Sequence, residues 1–341
     1  SWLTLPSRVS ALRDLIRREQ IRLVHCNEIY PNPHAVAACG TAPLVRGLAG
    51  GLLAGQRERS LRVPIVTHMR LSVTPRMVKN YGLVSATRLI AVSEGAARDF
   101  DPFPWKARKV RVILNGLELE EFEEARKQRD AIRRELGFAE SDFVIGQIGL
   151  LMPRKRPRFL IEAMPQILNA VPGARAVFVG EASPGQSYVV EELKALARDL
   201  GVGDEVLFYP FQREVARWFA ALDLNMLVSN EEGFGRVIVE AGAAGVATVG
   251  SRVGGIPELI DEGVTGYLLG EAGRAERDEE FWREMPRFVE IVSELAADRD
   301  RCRALGDAAA RRARERFGAD KYVAGVEEVF REALNRPDST E

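Results

Sequence analysis

The sequence predicts an α/β protein large enough for two domains. Its 341 residues are 46% hydrophobic and include 30 Gly, material for two cores rather than one. Short apolar runs alternate with helical stretches along most of the chain. The stretch Ser229 to Glu258 shows the repeating unit. An apolar strand, Leu222–Val228, feeds it. A helix beginning near Gly233 carries Val237, Ile238 and Ala241 inward, and a second buried strand runs Val246–Ser251.

Glu232 then sits at the carboxyl end of a strand, just before a helix. Glu240 follows eight residues later, about two turns along and on nearly the same face. Gly233 and Gly235 let the backbone come close to a ligand and leave N–H groups free. A helix start of that kind at a strand's carboxyl end is an anion site. An ordinary strand–helix–strand unit with surface acids also explains the apolar pattern. It does not explain two Gly beside the acids.

The string Glu232-Gly233-Phe234-Gly235-Arg236-Val237-Ile238-Val239-Glu240, with Gly254-Gly255-Ile256-Pro257-Glu258 after it, resembles the donor-site signature of retaining glycosyltransferases of family 4. The resemblance implies the GT-B fold: two Rossmann-like, doubly wound parallel-sheet domains facing a cleft. It puts an acceptor-side domain at 1–117, a linker at 118–140 and a nucleotide-sugar domain at 141–316. A last helix, at 317–336, crosses back to the first domain.

A GT-B chain opens with a strand, a Gly-rich loop and a helix. Here Ser1 to Gln20 is already helical, with Val9, Leu12, Leu15 and Ile16 on one side. The first domain is therefore expected to lack about two βα units of roughly 30 residues each. Strand Ile21–His25 follows, then Cys26-Asn27-Glu28 and a Pro-rich turn. The family's second His at this strand end is Asn27 here, so His25 reads as structural. Ala42 to Gln56, followed by Arg57-Glu58-Arg59, is apolar but too short to span a bilayer. It fits a buried or acceptor-facing helix, or a shallow membrane contact. Strand Val63–Thr67 ends in His68, where the resemblance implies a His reaching toward the donor sugar or its acceptor; a packed structural His is the alternative. Arg70 meets an acceptor phosphate or is surface. Strand Arg88–Ser93 and strand Val110–Ile113 close the domain.

The acidic, helical run Glu118–Glu135 leads to strand Phe143–Gly149. The family carries Gly-Arg and then Lys-Gly after this strand. Gly149 and Lys155 match, Leu150 stands for the Arg, and Arg156 stands for the Gly. Arg154 or Arg156 is then needed as the second cation. Strand Ala174–Gly180, helix Val189–Leu200 and strand Val206–Tyr209 follow. The resemblance implies that Pro210 and Phe211 hold the nucleotide base through their backbone. Beyond Tyr267–Leu269 the chain is helical and highly charged, and Pro337–Glu341 is a loose tail.

The net charge is −1, unevenly shared. Residues 1–113 hold 18 Lys and Arg against 7 Asp and Glu, and the remainder holds 30 against 42. Chance clustering explains this, or the first domain faces an anionic membrane or lipid phosphate. Three Cys without zinc spacing make a reducing compartment the default. The expected location is cytoplasmic, peripheral on the inner face of the membrane.

The resemblance implies transfer from a UDP- or GDP-type sugar to a glycan or lipid-linked acceptor, with retention and without metal or cofactor. No Asp-x-Asp motif is placed to hold Mg2+, and nucleic acid is not an expected partner. His68, Glu232 and Lys155 are the catalytic candidates. Glu240, Gly233, Phe234, Gly235, Arg236, Val237, Arg154, Gly149, Pro210, Phe211 and Glu258 are the donor-binding candidates. Glu240 suits two neighbouring ribose hydroxyls, and Glu232 those of the donor sugar. Lys155 and the amides from Gly233 to Val237 suit the departing diphosphate. A nucleotide-sugar-binding protein without transfer activity is the alternative, motivated by Leu150. A sugar-nucleotide epimerase would need acids and His in both domains that the sequence does not place.

Overall fold

The computed structural model describes residues 5–40, 61, 63–271 and 277–335. The apolar stretch Ala42–Gln56, its flanking Arg57 and Arg59, and the tail Pro337–Glu341 lie outside them. The chain forms two compact units, one of Ser1–Leu114 with Asp320–Glu341, the other of Asn115–Ala319.

The first unit holds a parallel sheet of β1 (Val24–Cys26), β2 (Ile65–Met69), β3 (Arg88–Ala91) and β4 (Val110–Val112), in that order. Every residue of β2 and β3 is buried, which is why these strands read as near-continuous apolar runs. Two polar residues in this layer are paired: Thr67 donates to Asn32 Oδ1 at 2.7 Å, and Asn32 donates to the Tyr81 carbonyl at 2.6 Å. The helix Ala319–Leu334 belongs to this unit from Asp320 on. It buries Val329 and Ala333 against Val66 and Ile90. Its Glu332 pairs with Arg88 of β3 and Arg111 of β4, each at 2.9 Å. The Arg88 hydrogen bond and then Arg111 hold that carboxyl below its usual range.

The second unit holds a parallel sheet of β5 (Phe143–Ile148), β6 (Ala174–Val179), β7 (Val206–Tyr209), β8 (Leu224–Leu227), β9 (Ala247–Ser251) and β10 (Gly266–Leu269). Their order is β10-β9-β8-β5-β6-β7. The order reverses between β5 and β8, and open α/β sheets bind ligands at the carboxyl ends of strands flanking such a reversal. One core cluster runs across this unit and includes Phe159, Phe178, Phe281 and Phe288.

At the opposite end of β8, Asp223 collects three guanidinium groups: Arg129 at 2.7 Å, Arg133 at 3.0 Å and Arg299 at 3.0 Å. Arg129 and Arg133 lie on the helix Arg129–Glu135, so this network fastens the segment 118–140 to the second sheet. Asp223 Oδ2 also accepts from the Val144 N–H at 2.8 Å.

Two local expectations are corrected. The first strand is Val24–Cys26, three residues later than its apolar pattern starts. The helix after β8 begins at Arg236, not near Gly233, because Gly235 takes the left-handed conformation (φ 98°) and caps it. Glu232 therefore stands on a loop, and its spacing to Glu240 is not two turns of one helix.

Candidate active site

The site is built from loops at the carboxyl ends of β5, β8 and β9. After β5 the chain makes a short 3-10 turn, Pro153–Lys155. After β8 it makes the loop Ser229–Gly235. Backbone and side chains lock the two together. The Asn230 N–H donates to the Arg154 carbonyl at 2.8 Å, and Arg154 Nη1 donates to the Glu231 carbonyl at 2.8 Å. Gln147, a polar residue inside β5, donates to the Lys155 carbonyl at 2.9 Å.

Lys155 is thereby aimed at Gly149. Its Nζ lies 3.1 Å from the point a Cβ on Gly149 would occupy, and Val237 Cγ1 lies 4.0 Å from it. Gly149 has φ +118°, a conformation costly for other residues. Burial lowers the Lys155 pKa; Glu232 and Glu240 push it up, and Arg154 pushes it down. Lys155 thus feels the charges of Glu232, Arg154 and Glu240. An anion arriving here favours the charged form of Lys155 further.

Glu232 lies 3.8 Å from Arg154. Its backbone is held from the other side by the loop after β9. The Gly255 N–H donates to the Glu232 carbonyl at 3.1 Å. A Cβ on Gly254 would fall 1.7 Å from that same oxygen. The Gly-Gly pair therefore shapes the Glu232 loop. Glu258 follows on the four-residue helix Ile256–Leu259, where its carbonyl accepts from Arg312 at 2.9 Å.

Glu240 is buried, on the helix Arg236–Ala243. Burial raises its carboxyl pKa; Arg236 lowers it, Glu121 raises it and Lys155 lowers it. The Arg236 bond is short, Nε to Oε1 at 2.6 Å, and the Arg itself is exposed. The first turn of this helix presents N–H groups that have no intrahelical partner. Phe234 turns the other way: it is buried, edge-on to Phe317 at 6.0 Å between ring centres. Only its backbone is left for a ligand.

Of the three basic residues at 154–156, Arg156 does not join the site. It is fully buried, pairs with Asp278 at 2.7 Å and lies 4.1 Å over the Phe281 ring. Its φ of +48° shows why a Gly suits that position. Leu150 is 48% exposed and brings no charge. Arg154 is left as the second cation beside Lys155.

Pro210 and Phe211 follow β7. Both are exposed, Phe211 at 65%. Gln212 donates back to the Pro210 carbonyl at 3.2 Å. The sequence holds two Asp-x-Asp runs: in Asp298-Arg299-Asp300, Asp298 caps a helix by accepting from the Arg301 N–H at 2.9 Å, and in Asp99-Phe100-Asp101, Asp99 accepts from the Val73 N–H at 2.7 Å.

His68 belongs to the first unit, on β2. It is wholly buried, and burial with the Arg70 and His25 charges lowers its pKa to about 3. It is a neutral imidazole. The sequence reading missed Gln147, which was signalled only as a polar residue in an apolar strand. Gly254 was already in the signature string, as part of a pair expected to shape the loop or lie near the phosphates.

A model of "Glycosyltransferase Family 4" matches residues 1–121, and one of "Glycosyl transferases group 1" matches residues 128–280. A D-inositol 3-phosphate glycosyltransferase of Segniliparus rotundus is 36% identical over 229 residues, 67% of this chain and 48% of that protein. The chain thus spans about half the length of this relative. An N-acetyl-alpha-D-glucosaminyl L-malate synthase of Bacillus anthracis is 25% identical over 328 residues, 95% of this chain and 78% of that protein. The crystal structure of Anabaena Alr3699/HepE in complex with UDP superposes with a TM-score of 0.77 at 25% identity, covering 95% of this chain and 82% of that one. The chain has the GT-B fold and belongs to the family 4, group 1 glycosyltransferases.

Proposed function

We propose that the protein transfers a sugar, with retention and without a metal, from a nucleoside-diphosphate sugar to a glycan or lipid-linked acceptor. The observation that carries this is the meeting of Lys155, Arg154, Glu232 and Glu240 where the second sheet reverses its order. Transfer builds negative charge on the leaving diphosphate and positive charge on the first carbon of the sugar. Lys155, Arg154 and the amides at Arg236 and Val237 face the first. Glu240 accepts from two ribose hydroxyls, and Arg236 favours its charged form against the effect of burial. Glu232 accepts from hydroxyls of the donor sugar. The exposed Pro210–Phe211 turn takes the base. A uridine donor is favoured by the UDP held in the Anabaena protein.

Retention follows from attack and departure on one face, with the leaving phosphate taking the acceptor's proton. This route asks for no nucleophilic side chain. The setting is an anionic membrane surface, met by the basic first unit. Donor binding without transfer is the second reading, since Leu150 leaves one cation out; Arg154 beside Lys155 supplies it again.

The test is a transfer and hydrolysis assay with UDP- and GDP-sugars, with product anomers read by NMR. Transfer with the donor's anomeric configuration kept is expected. Tight UDP binding with no turnover of any sugar nucleotide would favour the second reading.

A further inference from the structure

The helix Arg299–Arg316 carries no residue of the donor site, yet one of its side chains reaches the element that shapes it. Its buried face includes the small residues Gly306, Ala309, Ala310 and Ala313. They let it lie close to the donor helix Arg236–Ala243: a Cβ on Gly242 would fall 3.1 Å from the Ala309 carbonyl. Arg312 lines the cavity beside this contact, together with Thr248, Thr265 and Phe317. The cavity measures about 10 Å³, room for one water.

Arg312 places its two terminal nitrogens on one short segment. Nη2 donates to the Glu258 carbonyl at 2.9 Å, and Nη1 bonds the Asp261 carboxylate. Glu258 is on the helix Ile256–Leu259, and Asp261 follows just past its end. Asp261 is fixed in turn: its N–H donates to Thr265 Oγ1 at 2.8 Å, and its carbonyl accepts from the Thr265 N–H at 2.9 Å. Arg312 Nε is buried and has no partner among the described residues. The guanidinium is thus held by the bonds at its tip.

The start of that short helix presses on the donor loop. The Gly255 N–H donates to the Glu232 carbonyl, and a Cβ on Gly254 would strike the same oxygen. Leu259 Cδ1 lies 3.4 Å from the point a Cβ on Gly235 would occupy. A helix of four residues has little stiffness of its own. Its position is set from outside, by the core around the buried Ile256 and Ile260 and by Arg312.

We propose that Arg312 is a positioning residue for sugar transfer. It holds the helix Ile256–Leu259 so that Gly254-Gly255 keeps Glu232 where the donor sugar meets it. It touches neither donor nor acceptor. The proposal rests on Glu232 meeting the sugar, and it names a residue far from the donor signature in sequence. Lys155 and Glu240 depend on other contacts, one on Gln147 and the 3-10 turn, the other on its place within the helix Arg236–Ala243. Loss of Arg312 therefore disturbs the sugar end of the donor and spares the nucleotide end.

The test variant is Arg312→Lys, which keeps the charge and the apolar stem but cannot bridge Glu258 and Asp261 with one planar fork. Arg312→Met removes both bonds. Exchange of the Gly255 amide, read by NMR of the 15N-labelled full chain, reports the contact itself and needs no donor. Loss of one charged hydrogen bond should speed that exchange roughly tenfold, with the amides of β5 and β6 unchanged. The donor probe is whichever of UDP-glucose and UDP-N-acetylglucosamine the wild type turns over faster. Its kcat should fall roughly tenfold in Arg312→Lys, while UDP affinity by calorimetry stays within about twofold. In a Glu232→Gln background the same substitution should have little further effect on kcat, because the two residues act in series.

Gly255 exchange equal to the wild type's in Arg312→Lys and Arg312→Met overturns the proposal. So does a kcat loss by the same factor with and without Glu232→Gln, the mark of a residue that only stabilises the fold. If Arg312→Met does not fold, Arg312→Lys alone decides. A Glu232→Gln variant with wild-type kcat overturns the donor reading and the proposal with it. Gly255 exchange then still shows whether Arg312 holds the loop, so the two failures are distinguished.

Discussion

Glu240 is a buried carboxylate whose ionised form depends on neighbours. Its ribose-binding role predicts that Glu240→Ala loses a hydrogen-bond acceptor of about 1.5–3 kcal/mol, roughly a ten- to hundredfold weaker UDP affinity by calorimetry. Unchanged affinity would contradict the role. Arg236 adds a second expectation. Burial holds the Glu240 carboxyl above its usual range, and Arg236 pulls it down. In Arg236→Leu the carboxyl takes up a proton at higher pH, and the protonated form no longer serves as a charged acceptor. UDP affinity of the variant should fall as pH drops from 8 to 5.5, by up to about tenfold per pH unit below the raised pKa. The wild type should change less over that window. Parallel curves for the two proteins would show that Arg236 acts otherwise. The acids themselves were readable, because Glu232, the two Gly and Glu240 lie within one short string. Which basic residue faces the site was not. Arg154 and Arg156 are equivalent on paper, and only the left-handed backbone at 156 turns one of them toward Asp278 and Phe281.

At the scale of elements, the site depends on a loop pressed between two others. The 3-10 turn Pro153–Lys155 holds the Glu232 loop from one side, and Gly254-Gly255 holds it from the other. Gly254→Ala should displace it, since the added Cβ would meet the Glu232 carbonyl at 1.7 Å and φ there is +54°. A left-handed alanine alone costs about 1 kcal/mol or more. Because the loop moves Glu232, kcat for sugar transfer should fall by more than the loss in thermal stability explains. Wild-type kcat in a folded variant would show that Glu232 is not placed by this contact. Strand and helix alternation was legible from apolar runs, since most strands here are buried on both faces. The true helix start at Arg236 was not, because Gly235 caps the helix where the pattern alone runs on through Gly233.

For the whole molecule, charge is the feature that sequence and structure share. The first unit carries the excess of basic residues, and Arg8, Arg17, Arg18, Arg22, Arg76 and Lys79 are exposed. Among the described residues no helix is long and apolar enough to cross a membrane. If the basic surface meets lipid, the chain should adsorb to phosphatidylglycerol vesicles at low ionic strength and leave them near 0.5 M salt, as in co-sedimentation. Replacing Arg8, Arg17 and Arg22 by Gln should weaken that adsorption. A chain that stays in the supernatant at low salt ends the membrane proposal. Composition made this asymmetry visible at once. His68 was legible at its strand end, but its two unpaired ring nitrogens were not, because an unpaired buried atom exists only once strands from distant segments pack together.

Diffraction from crystals of the chain grown with UDP tests the donor site most directly. The ribose hydroxyls should lie within hydrogen-bond distance of Glu240, and the diphosphate between Lys155 and the amides of Arg236 and Val237. UDP bound elsewhere, or bound with Glu240 still facing only Arg236, would contradict the assignment on which the function rests.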